Sequence, residues 1–319
     1  MRTPLIRLSC LLSLLIASSA SAVTMAWTPI GNPGNACDPL VFSGYHSCWG
    51  AVSYSYSIGT YELTNAQYVE FLNAVAADDP YELYWNGGSG SITRTGNAGN
   101  YSYVALAGRE TMPVVNVSYY DAQRFANWLH NGQPNGAEGP GITETGAYTI
   151  TANAISNRLP IARNAGATYF LPNENEWYKA AFYDPQTHVY YDFQSGSNAP
   201  PTCAPPNAVA NYANCGNTVG GVTGVGAYTG SPSPYGTFDQ AGNVSEWNEV
   251  DHSIYGGAYN YAANQLGSSQ FDGHYYSSID PSDWANVGFR LATIIPEPST
   301  GLLVFAGLLG LAGWRRGRD

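Results

Sequence analysis

Apolar residues recur at helical spacing in three places along the chain, each time directly after a helix-start signal. In the first, Thr64 is followed three residues later by Gln67, so hydroxyl and amide can each satisfy a backbone N–H left free at a helix start. Tyr68, Phe71, Leu72 and Val75 then fall at i, i+3, i+4 and i+7 and make one apolar face. Ser118 and Asp121 repeat the device before Ala122, Phe125, Ala126 and Leu129. Asn173 and Glu176, following Leu171-Pro172, open a third helix whose Trp177, Ala180 and Ala181 face inward. All three stripes read as core. Elsewhere the pattern breaks into short strands and polar, glycine-rich loops over residues 86–90, 132–146 and 195–236. Loops this long in a compact domain carry function or are held by metal ions or disulfides.

Two further apolar runs lie at the ends. Residues 1–22 carry Arg2 and Arg7, an apolar run over 8–17 and the small-residue exit Ala20-Ser21-Ala22. That order predicts a signal peptide removed by signal peptidase, leaving Val23 as the first residue. At the other end Pro296-Glu297-Pro298 precedes an apolar stretch over 301–314 and the cluster Arg315-Arg316-Gly317-Arg318. The stretch is shorter than the roughly 20 residues that span a bilayer, and the arginines would stay cytoplasmic and halt translocation. A plain anchor helix is one reading. The three-part order also closely resembles the PEP-CTERM sorting signal, with Pro296, Glu297 and Pro298 as its sorting residues. That resemblance implies processing by a membrane exosortase in a Gram-negative bacterium that makes extracellular polysaccharide. The chain would be held briefly in the inner membrane by residues 293–319 and end in the periplasm, on the outer surface or in the matrix.

Charge narrows the partners. Between the two end segments, seven basic residues face 21 acidic ones. Such a domain repels nucleic acid and anionic headgroups and suits cations such as Ca²⁺, although plain solubility explains acidity equally well. Cys10 leaves with the signal peptide, so Cys37, Cys48, Cys203 and Cys215 remain. An even number in an exported chain suggests disulfides. Of the three possible pairings the local one, Cys37–Cys48 with Cys203–Cys215, is preferred, because each closes a short loop rich in Gly, Asn and Pro. No C-x-x-C occurs.

Six blocks, in order, carry a second resemblance. They are YELTNAQYVEFLNAV (61–75), MPVVNVSYYDAQRFANWL (112–129), RLP (158–160) with YFLPNENEWYKAAFYD (169–184), YGTFDQAGNVSEW (235–247), GGAY (256–259) and NVGFRLA (286–292). Together they resemble the family of formylglycine-generating enzymes, sulfatase-modifying factors and ergothioneine-type sulfoxide synthases, across nearly all of a domain spanning 23–292. The resemblance implies an α+β, C-type-lectin-like single domain with short helices, short strands and long loops.

Asp239 and Glu246 lie seven apart across a glycine-containing turn that can aim the carbonyls of Gly242 and Val244 inward. Hard oxygen donors of this kind suit Ca²⁺, and the family places a structural Ca²⁺ on the matching positions. The alternative is that Asp239 caps a turn while Glu246 pairs with an arginine. A second family calcium position would involve Asn211, whose partner carboxylate has no match here. The family's aerobic enzymes bind copper through two cysteines after the G-G-S block, since a thiolate pair selects Cu(I). Residues 258–292 hold no cysteine, and Leu266 and Phe271 stand near where the pair would be. Copper is therefore not expected. Nor is iron, because His46, His130, His188, His252 and His274 show no facial-triad spacing. No G-x-S-x-G elbow or phosphate loop points to a hydrolase.

These readings point to an exosortase-sorted surface or matrix protein whose calcium-stiffened scaffold presents aromatic loops to a polysaccharide or a surface protein. Tyr101-Ser102-Tyr103, Tyr190-Tyr191 and Tyr275-Tyr276 are the candidate contacts, or else half-buried cover over a loop-rich core. A metal-dependent, non-haem iron oxidoreductase of the same family and a structural matrix protein without a ligand are the alternatives.

Overall fold

The three capped helices form where the pattern places them. In the computed structural model, described for residues 22–39, 41–42, 45–46, 48–87, 90–249, 253–270, 274–275 and 285–294, α1 (Asn65–Val75), α2 (Tyr119–His130) and α4 (Glu174–Phe182) each begin in a complete capping box. Thr64, Ser118 and Asn173 accept from the third helical N–H, while Gln67, Asp121 and Glu176 reach back. Each such cap contributes about 1 kcal/mol. The short α3 (Ala152–Ser156) has no counterpart in the apolar pattern, because five residues are too few to show a period; Thr151 caps it.

Fourteen short strands, numbered along the chain, fall among the described residues. One sheet orders β1 (Trp27–Ile30), β4 (Tyr56–Gly59), β14 (Ala292–Ile294) and β7 (Tyr169–Phe170), all antiparallel. A second orders β12 (His274–Tyr275), β11 (Ser253–Tyr255), β10 (Ser245–Trp247) and β13 (Val287–Gly288), with β10 and β13 parallel. Three two-stranded ladders complete the set: β2 (Val41–Phe42) with β3 (Tyr45–His46), β5 (Ile92–Thr95) with β6 (Ser102–Ala105), and β8 (Thr202–Cys203) with β9 (Tyr212–Ala213). This is a mixed α+β fold of small sheets. The stripes of α1 and α2 meet in an aromatic core where Tyr68, Phe71, Phe125, Trp128 and Phe289 stack or tilt with centroids 5.3–6.1 Å apart.

Both disulfides follow the local pairing: Cys37–Cys48 and Cys203–Cys215. The second staples the glycine-rich segment 195–236 and buries Cys215 completely beside Leu266. Several of the few basic side chains serve inside, while Arg109 and Arg158 are exposed. Arg163 joins Glu176 and Glu249, Arg124 joins Asp121 and Glu144, and the single lysine, Lys179, is buried with its ammonium 2.8 Å from the Asn32 carbonyl. With most of the cations engaged in such pairs, the exposed charge is mainly acidic.

One acidic contact sets a pH dependence. Glu138 accepts from the Tyr81 N–H, yet its Oε1 has no partner. Burial first, then nearby Asp79, pushes its carboxyl from 4.5 up to about 8. The folded chain thus holds this proton more tightly than the unfolded one, and stability falls as pH climbs from 4.5 through about 8. Glu138→Gln is expected to remove this carboxyl's share of the fall, a gain of roughly 1–2 kcal/mol at pH 8 after solvent screening, and to leave the share of the raised Asp239 and Glu62 carboxyls. Urea midpoints of both proteins at pH 5 and pH 8 check this; identical pH profiles would refute it.

Candidate functional site

The turn that leads into β10 forms one wall of a buried charged cluster. Gly242 has φ +80°, and a Cβ there would stand 2.2 Å from the Asn214 carbonyl oxygen, so the turn requires glycine. Asp239 and Asn243 take left-handed φ values of 60° on either side, a conformation short polar side chains tolerate best. The Asn243 amide donates to Glu62 and its oxygen accepts from the Thr223 N–H and from Asn214. Glu62, two residues before the α1 cap, also accepts from the Val244 N–H.

Glu246 faces Arg290 in a two-pronged pair. Arg290 Nε lies 2.6 Å from Oε2 and Nη2 lies 2.7 Å from Oε1, while the Trp177 indole N–H donates to Oε2 at 2.8 Å. Arg290 also donates to the carbonyls of Gly59 and Phe238. Asp239 accepts from the Gly226 N–H. Three carboxylates thus couple to one guanidinium: Glu62 and Glu246 are buried with Arg290, and Asp239 is half-buried at the edge of the cluster. Burial, with Asp239 and Glu246 adding to it, pushes Glu62 well above the usual carboxylate range. Burial likewise raises Asp239 to about 6, against the pull of the Gly226 N–H and Arg290. For Arg290, burial works against the charge, but Glu246, Glu62 and Asp239 more than offset it.

The structure therefore brings Asp239, Gly242, Val244 and Glu246 together and adds Glu62, which sequence reasoning missed although it stands in the YELTN block. Glu246 serves Arg290 and Trp177, as the arginine-pairing alternative has it. In this arrangement its oxygens do not fit the role of a calcium ligand. Asn211 sits in a separate network, bonded to Ser195, Ser197 and the carbonyls of Ala199 and Pro200. Among the described residues no group of three or more His, Cys, Asp and Glu is arranged to hold a metal. His130 bonds Thr168 and His188 bonds Tyr183. His252, Phe271, Tyr276 and the side chains of His46, His274 and Tyr275 lie outside the described residues, as do residues 1–21, where the signal peptide is expected, and Pro296, Glu297 and Pro298.

The tyrosine loops divide. Tyr103 is buried with its hydroxyl on the Ala76 carbonyl, and Tyr190 packs on Tyr178 and Tyr183, so both are core cover. Tyr101 instead lines an open cleft of about 510 Å³ together with Tyr84, Trp85, Asp78, Glu82 and Arg94. There Arg94 is held by Asp79 at 3.1 Å and lies over the rings of Tyr101 (4.2 Å) and Tyr84 (4.8 Å).

Residues 51–293 match the sulfatase-modifying factor enzyme 1-like domain. The chain belongs to that family. Residues 295–317 match the PEP-CTERM protein-sorting motif, which marks the chain for exosortase-mediated sorting to the cell envelope or surface. No helix among the described residues is long and apolar enough to cross a membrane. Two solved structures share the fold of this sulfatase-modifying-factor-type domain. The crystal structure of CarF has 21% identity and a TM-score of 0.53, over 85% of this chain and 99% of that one. Treponema denticola variable protein 1 has 16% identity and a TM-score of 0.52, over 87% and 98%. A comparison with curated proteins gives no match. Within the sulfatase-modifying-factor framework, the four cysteines of the described residues are tied up in two disulfides.

Proposed function

We propose that this sulfatase-modifying-factor-type domain is a binding module displayed outside the cytoplasm, with the family's thiol-based oxidase chemistry lost. The observation that carries the reading is the state of the cysteines. Copper-dependent oxygen activation needs two free thiolates close together, and Cys37, Cys48, Cys203 and Cys215 are consumed as two local crosslinks. Where such thiols would lie, Leu266 is a buried apolar side chain packed on Ala213 and Cys215. Calcium enters the reading only at the expense of the Glu246–Arg290 pair, which already neutralises that carboxylate.

The test is a metal and oxygen assay on the purified chain lacking the leader. The expected result is no stoichiometric iron or copper, no O₂ uptake with thiol substrates, and a melting temperature that EDTA leaves unchanged. One tightly held iron with O₂ uptake would establish an oxidoreductase instead. A chelator-induced fall of several degrees, restored by Ca²⁺, would reinstate Asp239, Gly242, Val244 and Glu246 as calcium ligands.

A further inference from the structure

Val23, the residue expected to follow the leader, marks a sharp boundary in the fold. Ala22 is exposed, whereas Val23 is only 7% exposed and belongs to the hydrophobic core. Both backbone groups of Val23 meet one side chain from 110 positions away: its nitrogen donates to Gln133 Oε1 at 2.7 Å, and Gln133 Nε2 donates to its carbonyl at 3.2 Å. The residues that follow are held just as closely. The Thr24 carbonyl accepts from Gln67 Nε2 at 2.8 Å and the Ala26 carbonyl from the Thr60 N–H at 2.9 Å, and β1 begins at Trp27. The chain is thus fastened from the first atom of Val23 onward, and not before it.

Gln133 is itself fixed in place. It stands in the turn after α2, where Gly132 has φ +85° and Gln133 φ +59°. Its N–H donates to the Trp128 carbonyl at 2.9 Å, and the Trp128 indole N–H holds the next carbonyl, that of Pro134, at 2.9 Å. A long side chain gains nothing from the left-handed conformation, which short polar residues tolerate best. What the position obtains is reach, since the amide at its end pairs with a donor and an acceptor on one residue. The Gln67 amide is likewise shared, its oxygen on the Thr64 N–H at the start of α1 and its nitrogen on Thr24. Hydrolysis of the Ala22–Val23 peptide bond adds one water and leaves a carboxylate on Ala22 and an ammonium on Val23. One N–H of that ammonium keeps the bond to Gln133, now charge-assisted and therefore stronger. The other two face the exposed side that Ala22 vacates to water.

We propose that Gln133 is the dock for the processed amino terminus: it holds the Val23 ammonium and carbonyl, closes the edge of the domain there, and shields the end from exopeptidases outside the cytoplasm. This goes beyond the binding-module reading and rests on the leader ending at Ala22. The test uses the chain exported by a Gram-negative host, with its first residue read by mass spectrometry. Val23 is the expected end. The folded chain is then treated with a broad-specificity aminopeptidase, and loss of Val23 is followed by mass. Trimming is expected to be at least about tenfold slower than in Gln133→Asn, because an aminopeptidase must first pull residues 23–26 off their partners. Gln133→Asn keeps an amide at a backbone position asparagine adopts readily, one methylene too short to reach Val23. A chain that begins at Thr24 lacks the buried valine and both hydrogen bonds and is expected to melt about 5 °C lower. Should Gln133→Asn fail to fold, the chain beginning at Thr24 decides.

A first residue other than Val23 would overturn the dock. So would equal trimming of the parent and Gln133→Asn, which would make Gln133 an ordinary surface contact. An unchanged melting temperature in the chain beginning at Thr24 would do the same, since Val23 would then contribute nothing by being seated. None of these outcomes bears on iron, copper or O₂ uptake, which test the module reading separately.

Discussion

Glu246→Leu is expected to destabilise the domain by about 3–5 kcal/mol, a fall in melting temperature on the order of 10 °C for a domain of this size. The reason is what the substitution strands. Arg290 is fully buried and donates to Glu246 through two nitrogens, and the Trp177 N–H points at the same carboxylate. Removing the acceptor leaves a buried guanidinium to be offset by Glu62 and Asp239, whose own carboxyls burial pushes toward the neutral form. The companion Glu246→Leu/Arg290→Met variant removes both charges and is expected to recover more than half of the loss. Thermal or urea denaturation with and without EDTA is the measurement. A loss confined to calcium-containing buffer would show that an ion, and not Arg290, is the partner of Glu246.

Cys203→Ala/Cys215→Ala carries the second largest expected effect, about 3 kcal/mol. The crosslink closes a 12-residue separation, and loop-closure entropy for a ring of that length is near this value. Packing adds to it, since Cys215 is fully buried among Ala213 and Leu266. The same double substitution at Cys37 and Cys48 should cost a similar amount from entropy. The decisive comparison is the urea midpoint of each variant against the parent, at equal slope. No change at Cys203 and Cys215 would mean that the surrounding hydrogen bonds alone fix segment 195–236.

How far these features could be read from the sequence depends on their range along the chain. The caps at Thr64, Ser118 and Asn173 are chemistry between residues three apart, so the letters alone display them. The disulfides are local for the same reason. The charged cluster is not: Glu62 meets Asn243 across 181 positions and Glu246 meets Arg290 across 44. Spacing within the Asp239 turn suggested a cation, and the cation that the fold supplies is an arginine from a distant block. The tyrosines show the same limit from the other side. Tyr101 and Tyr103 are two apart and meet ring to edge, yet Tyr103 is buried and Tyr101 lines the cleft.

The place of β14 has a consequence for how such a chain is delivered. This strand lies between β4 and β7 inside its sheet, and it ends at Ile294, where the sorting motif over 295–317 begins. The sheet therefore cannot close until nearly the whole chain has crossed, and there is no slack between the domain and its address label. Folding and sorting meet at one residue: a finished domain would present its tail at the foot of its own sheet, with the tail's reach set by the label alone.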